Sequence, residues 1–200
     1  MEYYGVTDQG LRRSNNQDAF QIKIAGNLLL ATVCDGMGGA NGGNVASTLG
    51  VQTYNKKLSR YINSALSFVF LGDIPEFGVP CSPFPELRIP DYITKSVALA
   101  NAEIYNTAAG DPSLQGMGTT LTACVITPTG VVTTNIGDSR IYYAKDGKLT
   151  QLTRDHSLSA SFFVMPAAYS FSSCKRIRSS SLFRFASNSR SLRSISFANS

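Results

Sequence analysis

The chain has 200 residues, a mass of 21.5 kDa and a formal net charge of +5, with 43% hydrophobic and 16% charged residues. This composition can supply the core of one domain and excludes a chain that is disordered throughout. The charge is uneven: residues 1–158 carry 12 basic and 13 acidic residues, whereas residues 159–200 carry six basic residues and no acid. A near-neutral body with a basic tail is therefore predicted.

No apolar run reaches the roughly 20 residues that a membrane-spanning helix needs. The N-terminus lacks the basic and apolar regions of a secretion signal. The four cysteines form neither a C-x-x-C pair nor metal-finger spacing; they are Cys34, Cys81, Cys124 and Cys174. We therefore expect a cytoplasmic protein with no membrane partner, no zinc site and no disulfide framework.

The hydrophobic pattern predicts strands, then two helices, then strands again. The first strands are expected at 2–7, 19–24 and 27–34, with a hairpin turn at Gly26-Asn27 and a third strand that is buried on both faces. The spacing of apolar residues predicts one helix over 43–66 and a second from an N-cap at Asp91 to 104. A proline-rich loop at 67–90 separates the two helices. Further strands are expected at 119–127, 131–136, 140–144 and 148–152. This order favours an α+β fold with antiparallel sheets.

Three short segments combine residue types that suit a phosphate or a hard metal ion. Arg13 offers a planar fork of donors, and Asp18 follows it five residues later. Asp35 comes after the buried strand and before Gly36, so a carboxylate and a backbone carbonyl could serve Mg²⁺ or Mn²⁺. Asp138 follows another predicted strand next to glycine. Each segment taken alone could also be an ordinary polar turn.

Asp155-His156-Ser157 contains the residue types of a hydrolase triad. Neighbours in sequence rarely form such a triad, and no nucleophile elbow is present. We therefore expect His156 to be a structural residue.

The order of the motifs is more specific than any one of them. R-x-x-N-Q-D at 13–18 is followed by D-G-M-G-G at 35–39, G-M-G-T-T-L at 116–121, N-I-G-D-S-R at 135–140 and L-T-x-D-H-S at 152–157. Five motifs in this order, between residues 4 and 158, resemble the metal-dependent protein phosphatase family (PPM, or type 2C) in its bacterial form.

The resemblance implies an αββα architecture, in which an antiparallel β-sandwich is flanked by helices on both sides. It also implies hydrolysis of phosphoserine and phosphothreonine in proteins by a water activated between two Mg²⁺ or Mn²⁺ ions. Phosphorylated proteins would then be the substrates and a cognate Ser/Thr kinase a partner, with no nucleic-acid partner.

The resemblance further implies a role for each matching residue. Asp35 would bridge the two ions, and the carbonyl of Gly36 would bind one of them. Asp18 would support the waters of the site, and Arg13 would bind the substrate phosphate. Asp138 matches a ligand of a third, weaker metal site.

Two features depart from the family pattern. Gln17 stands where many relatives carry a Glu that contacts a metal through water, and the neutral amide should weaken the field there. No Asp or Glu follows Asp155, so two late Asp ligands of the family are missing. We therefore expect residues 1–158 to form the N-terminal part of a phosphatase domain, incomplete at its C-terminal side.

Residues 159–200 contain 14 Ser, 6 Phe and 5 Arg and show no hydrophobic period. One interpretation is a disordered basic arm for RNA or anionic membranes. The other, which we favour, is a shifted reading frame, because basic arms usually flank complete domains.

A sandwich without its last strands exposes edges and apolar faces, so we expect a poorly soluble and nearly inactive chain. The alternative to an impaired enzyme is a catalytically inactive, phosphatase-like module that binds phosphoproteins through the Arg13 face. A nucleic-acid binder acting through the tail is a third possibility.

Overall fold

A computed structural model describes residues 2–9, 11, 15–70, 88–128, 130–145, 147–155, 182–186 and 195–198. The helices are α1 (Gly39–Phe70) and α2 (Ile89–Gly110), and a 3-10 turn at Pro112–Leu114 follows α2. The strands are β1 (Glu2–Gly5), β2 (Asp18–Ala25), β3 (Leu28–Met37), β4 (Gly118–Thr119), β5 (Leu121–Thr127), β6 (Gly130–Ile136), β7 (Arg140–Lys145), β8 (Lys148–Gln151), β9 (Leu182–Ala186) and β10 (Ile195–Ala198).

The strands form two antiparallel sheets. The first has the order β2-β3-β5-β6, with β4 paired to β3, and the second has the order β1-β10-β9-β7-β8. Apolar residues of the first sheet, such as Leu29 and Ile126, share a buried cluster with Ile141 of the second sheet. The two sheets therefore enclose a core, as the predicted α+β sandwich requires.

The hairpin between β2 and β3 is confirmed. Ala25 pairs with Leu28, and Gly26 has a φ of 62°, a backbone conformation that residues with a side chain rarely adopt. Every residue of 28–34 is buried, as the apolar run predicts. The strand does not end at Cys34, however, because β4 pairs with Gly36 and extends β3 to Met37.

Both described helices pack on the outer face of the first sheet. Buried residues of α1 and α2, including Leu58 and Ile93, form one cluster with Leu30 and Val125 of that sheet. Neither helix combines the length and the hydrophobicity that a membrane crossing requires.

The helix boundaries differ from the prediction. Helix α1 covers 39–70 instead of 43–66, so it includes the first four residues of the predicted loop at 67–90, of which 71–87 lie outside the described residues. Helix α2 begins at Ile89, with Arg88 as an N-cap that makes no side-chain hydrogen bond. The predicted N-cap, Asp91, lies instead in the first turn, because Pro90 needs no backbone donor and fits there.

Two strands, β9 and β10, lie within residues 159–200, where the sequence shows no hydrophobic period. Strand β9 pairs with β7, so that Phe185 lies opposite Ile141, and β10 pairs with β1, so that Phe197 lies opposite Tyr3. Strand β10 alternates Ile195 and Phe197 with small residues, which is the period of a strand, whereas β9 is apolar except for Arg184. Four and five residues are too short for that alternation to stand out within a serine-rich segment.

Candidate metal centre

Two acidic residues lie directly opposite each other at one end of the first sheet. Asp18 on β2 is the register partner of Asp35 on β3. Such partners point to the same face, with Cβ atoms about 5 Å apart. Both residues are half-buried, and the Oδ1 atom of Asp18 is fully buried. Like charges in this position repel each other, so the pair suits a divalent cation.

The chain reaches Asp18 through a polar turn. The Asn16 side chain accepts a hydrogen bond from the Asp18 backbone N–H at 3.1 Å and donates one to Thr7 Oγ1 at 2.8 Å. This Asx-type turn fixes where β2 begins. Gln17 lies between Asn16 and Asp18, and its backbone carbonyl accepts a hydrogen bond from the Gly36 N–H at 2.9 Å. This bond ties the start of β2 to the end of β3.

Gly36 lies where the strand meets the start of α1. A Cβ built on Gly36 would lie 1.9 Å from the carbonyl oxygen of Gly43 in α1. A Cβ on Gly43 would lie 2.8 Å from the Gly36 carbonyl carbon and 2.9 Å from the Gln17 side chain. Only glycine fits at either position, and this close approach brings Gln17 to the end of β3 at Asp35 and Gly36.

Two threonines hold the backbone of Asp35. Its N–H donates to Thr120 Oγ1 at 2.9 Å. Its carbonyl accepts from the Thr120 N–H at 2.9 Å and from Thr119 Oγ1 at 3.1 Å. Both backbone polar groups of Asp35 are therefore satisfied, which fixes the backbone from which its carboxylate projects.

Asp138 is brought to the same region by its neighbours. The Ser139 hydroxyl lies 2.9 Å from the Thr120 hydroxyl, and Ser139 is fully buried. Gly137 has a φ of 100°, and a Cβ there would lie 2.7 Å from Thr120 Cγ2. Thr120 thus contacts both residues that flank Asp138, while Asp138 itself stays half-buried.

A bidentate ion pair anchors the last motif. Arg140 Nε donates to Asp155 Oδ1 at 2.9 Å, and a second guanidinium nitrogen donates to Oδ2 of the same carboxylate. This hydrogen bonding raises the pKa of Arg140, which stays charged at any working pH. Asp155 therefore joins β7 to the segment after β8 and is not available to a triad, and His156 and Ser157 lie outside the described residues.

Cys34 precedes Asp35 but offers no nucleophile. Burial raises its pKa to about 12, so the thiol is neutral at physiological pH. Cys124 is likewise a buried free thiol.

The donor set suits a hard cation. Asp18, Asp35 and the Gly36 carbonyl offer oxygen ligands, which Mg²⁺ and Mn²⁺ prefer. Within the part of the chain that the structure describes, no group of three or more His, Cys, Asp or Glu could hold a metal ion. The described residues alone therefore offer fewer side-chain ligands than a complete site needs. Arg13 lies outside the described residues.

The sequence did not single out Thr119 and Thr120 as contacts of Asp35. Their hydroxyls act across a separation of 84 or 85 residues. The sequence motif G-M-G-T-T-L at 116–121 is the feature that could have pointed to them.

Comparison with known proteins supports a common origin. The family profile described as "Protein phosphatase 2C" matches residues 11–186. Serine/threonine phosphatase stp of Listeria monocytogenes is 32% identical over 158 residues, which cover 76% of this chain and 53% of the relative. Serine/threonine protein phosphatase PstP of Mycobacterium tuberculosis is 35% identical over 158 residues, covering 78% and 25% respectively. The chain thus spans about half the length of the first relative and a quarter of the second.

Solved structures of serine/threonine phosphatases also resemble this chain. The crystal structure of the M. tuberculosis serine/threonine phosphatase PstP/Ppp gives a TM-score of 0.55 at 32% identity, over 77% of this chain and 54% of that chain. The catalytic domain of PstP in complex with two manganese ions gives 0.53 at 32% identity, over 77% and 55%. The family match covers most of the chain and ends at residue 186, the last residue of β9. The chain therefore belongs to the protein phosphatase 2C family.

Proposed function

We propose that this chain carries part of the active site of a metal-dependent phosphatase that acts on phosphoserine and phosphothreonine in proteins. The observation that carries the proposal is the opposed pair Asp18 and Asp35. Two carboxylates at one strand end, beside the backbone of Gly36, supply the oxygen donors that a divalent ion needs.

Each residue has a proposed task at this site. Asp35 and the carbonyl of Gly36 bind Mg²⁺ or Mn²⁺, and Asp18 orients the surrounding waters. Asp138 serves a third, weaker ion, and Gln17 interacts only through water because its amide is neutral. When bound, two such ions lower the pKa of a shared water and stabilise the negative charge of the reacting phosphate.

Arg13 is the proposed binding residue for the substrate phosphate. A guanidinium can donate two parallel hydrogen bonds to one phosphate, which fixes the orientation of the phosphorus atom. Its place in sequence supports this role, because Arg13 comes five residues before Asp18, the first residue of β2.

The names of the relatives support the substrate class. The Listeria protein is called a serine/threonine phosphatase and the Mycobacterium protein a serine/threonine protein phosphatase. We propose phosphorylated proteins as substrates and a cognate Ser/Thr kinase as the opposing enzyme. We place the reaction in the cytoplasm, where the buried free thiols of Cys34 and Cys124 stay reduced.

We propose that turnover by the 200-residue chain is low. Residues 159–200 carry no acid that could complete the ligand set. The boundary at 158 and the shifted reading frame after it stay predictions, while the family match extends to residue 186. We expect hydrolysis of p-nitrophenyl phosphate with Mn²⁺ to stay near background. Clear Mn²⁺-dependent hydrolysis would contradict that expectation.

Metal binding is the direct test of the proposed site. We expect calorimetry of the full chain to detect Mn²⁺ binding and Asp35→Asn to weaken that binding by more than about 100-fold. Loss of a residue that only orients a ligand already lowers metal affinity by up to that factor. The matched control is Asp91→Asn in the first turn of α2, which removes one carboxylate elsewhere and should leave the affinity unchanged. Absence of Mn²⁺ binding would favour the alternative, an inactive phosphoprotein-binding module.

A further inference from the structure

Thr120 occupies a junction between two candidate metal-binding segments. Its hydroxyl oxygen lies 2.9 Å from the backbone nitrogen of Asp35 and 2.9 Å from the hydroxyl of Ser139. Its methyl group packs against Gly137, where an added Cβ would lie 2.7 Å away. One half-buried side chain therefore touches Asp35 at the end of β3 and the turn around Asp138 at once.

We propose that Thr120 is a positioning residue, which fixes Asp35 relative to Asp138. This inference rests on the proposed function, because it gives Thr120 a task only if those carboxylates bind metal. Thr120 itself is not proposed as a ligand, since its hydroxyl oxygen already accepts from the N–H of Asp35.

The backbone contacts explain why a hydroxyl is needed there. The N–H of Asp35 points at Thr120 Oγ1, so an apolar side chain would leave a half-buried donor without that acceptor. The Asp35 carbonyl keeps its bond to the Thr120 N–H whatever the side chain is. Loss of the hydroxyl should therefore loosen the orientation of Asp35 without detaching β4 from β3.

Ser139 supplies the second half of the link. It is 1% exposed, and its hydroxyl has the Thr120 hydroxyl as a neighbour. Because Ser139 follows Asp138 directly, this bond limits how far the Asp138 turn can move from Asp35. Partners outside the ligand set that orient the ligands change metal affinity by about 10- to 100-fold when they are removed.

The matched variants are Thr120→Val, which keeps the shape and removes the hydroxyl, and Thr120→Ser, which keeps the hydroxyl. Thr127→Val is the control on the same stretch of chain: Thr127 exchanges two 3.0 Å hydrogen bonds with Gly130 at the opposite end of β5. Each protein is tested as the full chain, for Mn²⁺ affinity by calorimetry and for melting temperature without metal.

We expect Thr120→Val to weaken Mn²⁺ binding at least about 10-fold, Thr120→Ser to restore it, and Thr127→Val to lower the melting temperature without changing the affinity. Ser139→Ala should also weaken binding, and Thr120→Val/Ser139→Ala should lose less than the sum of the two single losses, because the variants remove one shared bond.

The outcomes separate the two proposals. If Asp35→Asn abolishes Mn²⁺ binding but Thr120→Val binds like the parent chain, Thr120 has no positioning role and the metal site stands. If affinity falls equally in Thr120→Val and Thr127→Val, the effect is general destabilisation and the inference is wrong. If the parent chain binds no Mn²⁺, both the site and the inference fail.

Discussion

Asp18 and Asp35 face each other across the β2–β3 pair, where an antiparallel sheet would ordinarily avoid two like charges. Neither residue is on an exposed rim, since both are half-buried. If both carboxylates are charged, a bound cation would reduce the repulsion between them, so we expect stability and metal binding to respond to substitution with opposite signs.

The variant Asp18→Asn tests whether stability and metal affinity change in opposite directions. Removing one charge should raise the stability of the metal-free chain by about 0.5 kcal/mol and, at the same time, weaken Mn²⁺ binding. Melting temperatures with and without Mn²⁺ measure both effects. Asp91→Asn, in the first turn of α2, is the control: it should leave Mn²⁺ affinity unchanged and slightly lower the stability, because a carboxylate near a helix N-terminus is favourable. A loss of stability in metal-free Asp18→Asn would show that the two charges are not in conflict.

The close contact between Gly43 and Gly36 predicts an asymmetric response of two helical glycines. In Gly43→Ala the new methyl would meet the Gly36 carbonyl carbon and the Met37 nitrogen, both at 2.8 Å, so we expect a loss of about 1–3 kcal/mol in the free energy of unfolding. Gly110→Ala, near the end of α2, meets nothing within 4 Å and should be neutral or slightly stabilising. Urea unfolding of both variants makes the comparison; equal effects would argue against the close approach of α1 to β3.

Arg140→Lys tests the ion pair with Asp155. Lysine keeps the charge but cannot donate the paired hydrogen bonds that Arg140 makes. The Leu152 amide, which donates to the Ile141 carbonyl at 2.8 Å, should then exchange with deuterium several-fold faster. The exposed Arg154 gives the control Arg154→Lys, which should leave that exchange unchanged. Unaltered protection in Arg140→Lys would mean that the ion pair does not hold this segment.

The buried thiol of Cys34 predicts a loss of stability at alkaline pH. Its pKa is about 12 in the folded chain, against an ordinary value of 9.0. Below pH 9 the thiol is neutral in both states, so its full contribution is present; as the pH rises from 9 towards 12 the unfolded chain ionises first and that contribution is lost. Melting temperatures at pH 8 and 10 should therefore fall less in Cys34→Ala than in the parent chain. An equal fall would exclude Cys34 as a source of the alkaline loss.

The predictions from sequence succeeded where a local pattern determines the structure. Two apolar runs joined at Gly26-Asn27 located the hairpin, and the all-apolar run 28–34 marked the strand that is buried between the helices and the second sheet. Both helices were predicted from the spacing of their apolar residues, although their ends were not.

The features that sequence missed depend on contacts between distant parts of the chain. Strand β3 continues past Asp35 because β4, more than 80 residues later, pairs with Gly36 and Met37. The hydroxyl of Thr120 likewise reaches the Asp35 N–H only because β5 lies beside β3. Strands β9 and β10 are short and gain their place by pairing with β7 and β1.

The location of a bound ion tests the central claim most directly. In NMR spectra of the full chain, substoichiometric Mn²⁺ broadens the amide signals of residues near it. We predict early broadening for Asp18, Asp35 and Gly36, and none for Leu28, which lies at the other end of β3, roughly 25 Å along the strand. Broadening centred elsewhere, or uniform along β3, would contradict a metal site at the opposed pair Asp18 and Asp35.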